Sequence, residues 1–435
     1  MNAEPRILNT PAEVTLAEAF SASRGHLPGD AAVAAARAVA FDAFQKKGLP
    51  HRRTEAWRYT DLRVLLRSVP PAPPAAPASI ASAALLPGLD RARLVIVDGA
   101  YRPELSDLSG LDGVEVTSLA TLLDQGDERV GALAGRLDDA MVALNTAMMT
   151  GGVAIRVPAG LDVTRAVEIA HVTSGAYSVF ARNLISVGAG ASLRVVESFT
   201  GPDAAASVAN IVTEAVIGDR AKVTWAKLQA EGNAAVHLST TAVSIGGESQ
   251  FDHLTLMTGA SISRSQSFVT YGGEFARAGL FGATMIGGKQ HADIMLGVDH
   301  AVPNGASREL FKAVMDGKAD GIFQGRIVVR PGAQKVDGKM MTQGLLLSED
   351  ASFSVKPELE IFADDVQCAH GATSGEIDED MLFYLLSRGL PRAEAETLLV
   401  TAFLAEAIEG LGDEAIGEAF EQVARDWLAD RKTLS

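Results

Sequence analysis

A weak internal repeat constrains the fold of this chain more than any other feature. Its clearest copies begin at Val187, Ile217 and Ile245, and each reads as a β-branched residue, a glycine, two turn residues, a small residue and an alternating stretch. A poorer copy begins at Val157 and a truncated one at Tyr271, so the anchor positions lie 30, 30, 28 and 26 residues apart. Short strands with glycine corners at such a period are typical of a β-solenoid, whose coils bury their inward faces against one another.

We therefore predict a mainly β protein with a right-handed parallel β-helix (β-solenoid) core over residues 150–365, flanked by N-terminal and C-terminal helical regions. The alternative is a β-sandwich whose hairpins resemble one another by chance. Residues 1–69 read as a helical region, with a helix over 31–44 that Gly48 and Pro50 end. A Pro- and Ala-rich linker over 70–90 and a small mixed α/β segment over 91–149 follow it.

Residues 366–435 are predicted to form a C-terminal helical domain, in which Asp378 is an N-cap and Gly389 and Pro391 separate two helices. We expect the helical units to cap the exposed edges of the terminal coils. The apolar stripes of the three predicted helices are Met381, Leu382, Tyr384 and Leu385; Leu398, Leu399, Ala402 and Phe403; and Ile416, Phe420, Val423, Trp427 and Leu428.

Composition and missing motifs exclude several classes of function. A formal net charge of −16 argues against nucleic-acid and anionic-membrane binding. The first six residues do not resemble a secretory signal, so we expect a cytoplasmic protein. The one cysteine, Cys368, rules out an internal disulfide and an iron–sulfur cluster held by this chain alone. The sequence also has no Walker motif, no Cys-x-x-Cys, no His-Glu-x-x-His and no Gly-x-Ser-x-Gly.

Cys368 and His370 form the candidate site. They are two residues apart, so an extended strand points both side chains to one face. A thiolate and an imidazole there could bind iron or zinc, although two ligands need a partner chain or an inorganic ligand to complete the site. The alternative is a small buried side chain beside a histidine at the end of a strand.

Several motifs resemble the SufB/SufD family of iron–sulfur cluster assembly scaffold proteins. The most specific is PELEI at 357–361 with ADDVQCAHGAT at 363–373. The others are DHAVP at 299–303 with Ser307, GIFQGRI at 321–327, AQK at 333–335, LLLS at 345–348, FYLLSRG at 383–389 with Glu394 and Ala395 beyond it, and EAWRYT at 55–60. The strong match covers about the last third of the chain.

The resemblance also distinguishes two branches of the family. SufB-type chains carry a cluster-building cysteine about twenty residues before a His-Glu-Ala-Thr motif. Here Ala351 stands at that cysteine position, and the later motif reads His-Gly-Ala-Thr after Cys368. Both features resemble the SufD type.

The resemblance implies a non-catalytic scaffold subunit of a complex with a SufB-type paralogue and a SufC-type ABC ATPase, which would hydrolyse the ATP. It implies that His370 takes part in iron binding or cluster assembly at the SufB-facing surface, and it leaves open whether Cys368 is functional or structural. The expected ATPase-docking surface comprises Tyr384, Leu385, Ser387, Arg388, Gly389 and Phe403. We expect no tightly bound cofactor of this chain alone, a transient iron or iron–sulfur cluster shared with the partner, and a reduced flavin only at the level of the complex.

Two other functions remain as alternatives. One is a purely structural scaffold with no ligand role. The other is a carbohydrate-active β-helix protein, for which Asp252, Glu274 and Asp293 would supply the carboxylates, although their spacing shows no pattern. The sequence does not tell a homodimer from a heteromer for the isolated chain.

Overall fold

The computed structural model describes residues 9–74 and 85–430, and in them the chain winds into a two-sheet β-solenoid of about eight turns. From β4 onward, consecutive strands alternate between a ten-stranded and a nine-stranded sheet, and each strand from β6 to β17 pairs in parallel with the strands two before and two after it. The ten-stranded sheet contains β1 Arg91–Val97, β2 Ala100–Tyr101, β5 Ala166–Val172, β7 Ser192–Thr200, β9 Lys222–Ala230, β11 Gln250–Met257, β13 Arg277–Ile286, β15 Ala306–Met315, β17 Asp337–Leu346 and β19 Gln367–Gly375. The nine-stranded sheet contains β3 Glu115–Ser118, β4 Val153–Val157, β6 Ser178–Val187, β8 Val208–Ile217, β10 Val236–Ile245, β12 Ile262–Tyr271, β14 His291–His300, β16 Asp320–Val329 and β18 Ser352–Ile361.

The repeat in the sequence corresponds to the register of the nine-stranded sheet. Val157 pairs with Val187, Val187 with Ile217, Ile217 with Ile245 and Ile245 with Tyr271. All five are buried in the interior of the solenoid. The predicted solenoid is therefore confirmed, and the sandwich alternative is excluded.

The repeated glycines have a steric cause, because successive coils stack corner upon corner. A Cβ at Gly188 would lie 2.4 Å from the backbone nitrogen of Ala159 in the coil below, and a Cβ at Gly218 would lie 2.7 Å from that of Ala189. No real side chain fits at such distances. The corner glycines therefore keep the coils at strand spacing, which the inward side chains need in order to pack.

Helices flank the solenoid as predicted. They are α1 Pro11–Ser23, α2 Ala31–Lys47, α3 Leu62–Leu65, α4 Leu119–Asp124, α5 Ala140–Met148, α6 Glu379–Ser387, α7 Arg392–Glu409 and α8 Glu414–Asp430. The predicted caps hold: Gly48 ends α2 with φ +68°, and the Asp378 side chain accepts hydrogen bonds from the backbone at the start of α6. No helix in the described part of the chain has the length and hydropathy required to cross a bilayer.

The N-terminal helices pack on the outer face of the nine-stranded sheet. The tryptophan of the EAWRYT motif anchors them there: Trp57 is buried, its indole Nε1 donates to Asp139 Oδ2 at 2.9 Å, and the Arg264 guanidinium of β12 lies 4.1 Å from its ring centroid. Of the proline-rich linker, residues 75–84 lie outside the described residues. The adjoining Pro71 carbonyl accepts a hydrogen bond from the Ser178 backbone at 2.8 Å, so the described start of the linker runs against β6.

The C-terminal helices do not cap the end of the solenoid, which corrects our expectation. Helices α7 and α8 cover the outer face of the ten-stranded sheet instead, where Val400 and Leu404 pack with Ala283 and Val314. The physical reason is that this outer face is itself apolar and needs cover along its length. Short antiparallel strands, β2 and β3, close the first coils, whereas the last coils end on β18 and β19.

Three predicted details of the C-terminal region also change. The face of α7 that packs inward is Ala395, Val400, Leu404, Ala407 and Ile408, so the predicted stripe with Leu398 and Ala402, both exposed, was wrong. In α6 only Leu382 of the predicted stripe is fully buried. The α8 stripe holds, because Ile416, Phe420 and Leu428 are buried. Strand β19 ends at Gly375, ten residues beyond the predicted end of the core.

Candidate functional site

The last coil presents two unpaired strand edges. Among the described residues, β18 pairs only with β16, and β19 pairs only with β17. Interior side chains of this coil, including Phe353, Val355 and Leu359, are only partly buried. An open sheet edge with half-covered apolar side chains is a template for strand addition by another chain.

Cys368 and His370 both lie on β19 at this open end. Cys368 pairs with Gly338 and His370 with Met340, so the two side chains share the inward-facing side of the strand, as their spacing predicts. Cys368 is half-buried against the core, whereas His370 is exposed. The strand therefore leads from the packed interior to an accessible imidazole.

The environment of Cys368 holds its thiol in the protonated form. Burial raises the pKa of this thiol, and the carboxyl groups of Glu309 and Asp337 raise it further, against a hydrogen bond from the Gly338 backbone. A thiol must lose its proton to bind a metal ion. A bound cation would supply the positive charge that this environment lacks.

A complete metal centre does not form within the described part of the chain. Across residues 9–74 and 85–430, no group of three or more His, Cys, Asp or Glu side chains has an arrangement that could hold a metal ion. At the open end, Cys368 and His370 would need further ligands to complete a metal site.

A buried carboxyl group behind the site is absent from the sequence-based prediction. Glu309, on β15, pairs with Met340, which in turn pairs with His370, so the three side chains form one inward column. Neither carboxyl oxygen of Glu309 accepts a well-formed hydrogen bond among the described residues, and burial raises its pKa to about 8. The alternation of inward and outward side chains along β15 is the signal that could have placed Glu309 in the interior of the solenoid.

The DHAVP motif with Ser307 forms the floor of this region. His300 follows Tyr271 in the buried column formed by the repeat anchors of the nine-stranded sheet. Its ring stacks on Tyr271 with 4.1 Å between ring centroids, and its Nε2 lies 3.0 Å from the Ser307 hydroxyl oxygen. Burial lowers the pKa of His300 to about 4, so its ring is neutral at neutral pH. The motif therefore fixes neighbouring coils beneath Cys368.

The residues of the predicted docking surface fall into two groups. Tyr384 is 53% exposed on α6, and the Arg388 guanidinium lies 5.1 Å from its ring centroid. Ser387 donates to the Tyr384 carbonyl at 2.7 Å, and Gly389 ends this helical turn with φ +90°. Leu385 is half-buried.

Phe403 belongs to a different surface. It lies on α7, 4.5 Å from the Lys312 ammonium of β15, and it lines a groove with Leu345 and Thr373 rather than joining the exposed side of α6. The docking prediction omitted two residues of α6 that are more exposed than Leu385. They are Met381, 56% exposed, and Phe383, 71% exposed. Together with Tyr384 they form an exposed apolar patch, the α6 patch.

The carboxylates of the carbohydrate alternative do not converge. Asp252 lies on β11 of the ten-stranded sheet, whereas Asp293 lies on β14 of the nine-stranded sheet, buried against Arg264 and Thr60. Glu274 lies in the turn between β12 and β13 and accepts a hydrogen bond from Asn304. Paired carboxylates for glycoside hydrolysis would have to flank one cleft.

Comparison with known proteins gives a consistent result over nearly the whole chain. Residues 170–403 match the family described as SUF system FeS cluster assembly, SufBD core domain, and residues 16–169 match the SufBD protein N-terminal region. A SufBD family protein of Synechocystis sp., described as an iron–sulfur cluster assembly protein, is 30% identical over 391 residues, which cover 86% of each chain. The iron–sulfur cluster assembly protein SufD of Escherichia coli is 30% identical over 377 residues, covering 85% of this chain and 87% of the relative. The SufD protein of Bacillus subtilis is 28% identical over 284 residues, covering 63% and 64%.

Proposed function

Because this chain belongs to the SufBD family of iron–sulfur cluster assembly scaffold proteins, we propose that it acts as the SufD-type subunit of a complex with a SufB-type paralogue and a SufC-type ATPase. In this proposal the open end of the solenoid contacts the paralogue, and Cys368 and His370 contribute to a transient iron or cluster site that both chains share. The cluster is cargo, so the chain keeps no tightly bound cofactor of its own. The proposed compartment is the cytoplasm.

The observation that carries the proposal is the position of His370. It is exposed, it lies on an unpaired edge strand, and Cys368 shares its face. An interface formed at this edge would bring ligands of a second chain next to the imidazole. Incomplete ligation suits cargo, since a cluster that must be handed on should not be caged by four ligands of one chain.

The chemistry expected of this chain is ligand exchange rather than catalysis. The His370 imidazole offers a nitrogen ligand, and the Cys368 thiol, with its raised pKa, would release a proton on binding iron. ATP would be hydrolysed on the ATPase, and its closure would move the two scaffold chains as rigid bodies and so open or close the shared site. We assign any reduced flavin to the assembled complex.

Exposed apolar area supports the proposed ATPase contact. The α6 patch, Met381, Phe383 and Tyr384, has no apolar cover in the described residues, and Arg388 next to it offers a cation. Aromatic and arginine side chains are the residues that most often dominate protein–protein contacts. We retain Tyr384, Leu385, Ser387, Arg388 and Gly389 as docking residues and propose that Phe403 contributes from the neighbouring groove.

The test compares His370→Ala with the control His26→Ala, which changes an exposed histidine of the N-terminal region. Each variant is co-expressed with the paralogue and the ATPase, and the purified complex is assayed for subunit ratio, iron and acid-labile sulfide. We expect the His370 variant to assemble normally but to lose most of its iron and sulfide. Normal loading in an intact complex would favour the purely structural scaffold instead.

Cys368 needs its own pair of variants, because a buried thiol also packs. Cys368→Ser keeps the size and removes the soft ligand, whereas Cys368→Ala removes both. If the thiol is a ligand, both variants lose iron to a similar extent. If it only packs, the complexes keep their iron and Cys368→Ala lowers the melting temperature of the chain.

A further inference from the structure

The outer face of the ten-stranded sheet has a polar end that the C-terminal helices leave uncovered. A pocket of about 330 Å³ lies there across the first residues of β11, β13 and β15. Asp252, Gly279 and Arg308 are directly paired across these three strands, and Gln250 and Arg277 precede them. The volume is in the range of small-molecule sites.

A glycine and a phenylalanine shape this pocket. A Cβ at Gly279 would lie 2.5 Å from Asp252 Oδ1 and 2.8 Å from the Phe281 ring, so only glycine leaves the floor open. The Phe281 ring is held from its other side by α7, since a Cβ at Gly410 would lie 2.4 Å from it. The pocket therefore has a fixed aromatic wall.

Two guanidinium groups line the pocket, and they differ in their partners. Arg308 is fixed, because its Nη2 donates to Asp337 Oδ2 at 2.5 Å and its Nη1 donates to the Ser307 carbonyl at 2.8 Å. Arg277 is exposed, and no carboxylate of the described residues lies within 4.0 Å of it. Five donors of Arg277 are thus available to a ligand.

The remaining charges also favour an anion. Lys222 of β9 pairs with Gln250, and Lys339 of β17 pairs with Arg308. Both lysines are exposed on the same uncovered end of the sheet. Asp252 is the one carboxyl group that lines the pocket. Burial raises its pKa, and its Oδ2 already accepts a hydrogen bond from Gln250 at 2.7 Å, so it opposes an anion less than a free carboxylate would. Asp337 also lies at this end, paired with Arg308 and 3.6 Å from the Lys339 ammonium, so two carboxyl groups face four cations there. In a chain of net charge −16, this is a local excess of cations.

We propose that this pocket is a binding site for a small ring-bearing oxyanion, whose carboxylate or phosphate group pairs with Arg277 and Arg308 and whose ring packs against Phe281. Guanidinium groups bind both oxyanions through paired hydrogen bonds. The site lies on the outer face of the sheet, away from the inward-facing Cys368 and His370, and it does not depend on the proposed function.

The experiment titrates the full chain with phenyl phosphate, benzoate and the uncharged analogue benzamide, followed by ligand-observed NMR. We expect one of the two anions to bind with a dissociation constant on the order of 1 mM, a limit set by its small size. Benzamide should bind at least about tenfold more weakly. Tighter binding of phenyl phosphate identifies a phosphate ligand, and tighter binding of benzoate identifies a carboxylate ligand.

Variants separate a built site from diffuse attraction. Arg277→Gln should weaken binding of the preferred anion about tenfold, whereas the control Lys289→Gln, which removes an exposed cation from the turn after β13 at the opposite end of that strand, should change it less than about twofold. Arg277 has no ion-pair partner to lose among the described residues, so its variant should keep the wild-type melting temperature. Equal binding of benzamide, equal losses in both variants, or no binding of either anion would overturn the proposal.

Discussion

At the scale of single residues, Glu309 is a group whose protonation depends strongly on the fold. Its pKa is raised to about 8 by burial, whereas a glutamate in the unfolded chain titrates near 4.5. Between these values the unfolded state releases a proton that the folded state keeps. The contribution of Glu309 to the free energy of unfolding therefore falls as pH rises through this window, by about 1.4 kcal/mol for each pH unit.

We expect Glu309→Gln to be more stable than the wild type at pH 7.5 and equal to it below pH 4.5, because the amide is neutral at every pH. Urea unfolding at several pH values measures this. The control is Glu418→Gln, which changes an exposed glutamate of α8 and should leave the pH dependence unchanged. A gap between Glu309→Gln and the wild type that does not vary with pH would contradict the argument.

The sequence predicts single residues where the cause is local. The shared face of Cys368 and His370 follows from their spacing, and the caps Asp378 and Gly48 follow from side-chain chemistry and backbone freedom. Glu309 was not singled out, because its burial depends on the neighbouring coils of the solenoid, including Met340, which pairs with it on the next strand of the sheet.

At the scale of elements, α6 differs from the other C-terminal helices because three of its large apolar side chains, Met381, Phe383 and Tyr384, stay exposed. Phe383 is 71% exposed, so an aspartate there should leave the isolated chain folded and remove the proposed ATPase contact. Leu385→Asp is a weaker test, since Leu385 is half-buried and its loss also disturbs packing. We expect Phe383→Asp to lower co-purification of the ATPase at least about tenfold, as loss of a central aromatic contact does.

Val39→Asp is the matched control for this prediction, because Val39 is also an apolar helical residue with 71% exposure, but it lies on α2 of the N-terminal region. It should bind the ATPase as the wild type does. If Phe383→Asp binds normally while its melting temperature is unchanged, α6 is not part of the docking surface.

The strands were more predictable than the helices. A solenoid repeats one environment in every coil, so the aligned positions Val157, Val187, Ile217 and Ile245 report the register directly. Helix α7 has apolar residues on more than one side, and its buried side was chosen by the apolar outer face of the ten-stranded sheet. A single helical period cannot reveal which of two apolar stripes meets that face.

At the scale of the whole molecule, the two ends of the solenoid are built differently. Antiparallel strands β2 and β3 close the first coils, while β18 and β19 leave the last coil open. The C-terminal helices do not cover the end of the solenoid as predicted, because they are needed on the apolar outer face of the ten-stranded sheet. Val400 and Leu404 pack there. The last coil of the solenoid therefore keeps unpaired strand edges, and the candidate site lies on this coil.

The same solenoid interior that orders the coils also buries ionisable groups, which should make the molecule sensitive to acid. Burial lowers the pKa of His253 to about 3 and that of His300 to about 4, and Lys227 lowers the pKa of His253 further. Histidines of the unfolded chain titrate near 6.5, so below that pH the unfolded state binds protons that the folded state does not. The stability that these two histidines contribute by staying neutral is present above pH 6.5 and is lost as pH falls toward their folded-state pKa values of about 4 and 3.

Glu197 extends this loss, because its pKa is held at about 2 by His171 and Lys227 despite burial, and its contribution disappears as pH falls below about 4.5. Glu309 acts in the opposite direction between about 4.5 and 8, but it is one group against two histidines. We therefore expect the free energy of unfolding to decrease from pH 6.5 to pH 4.5.

His253→Phe tests the origin of this acid sensitivity. His253 stacks on Phe251 and meets the edge of Trp225, and its Nε2 has no hydrogen-bond partner among the described residues, so a phenylalanine suits the same space. The variant should remove the titration of one proton, which lessens the loss by about 1.4 kcal/mol for each pH unit below 6.5. His26→Phe, in an exposed turn, should unfold with the wild-type pH dependence. If both variants kept the wild-type slope in urea unfolding, the buried histidine would not be the source of the acid sensitivity, and the interior would have to take up protons elsewhere.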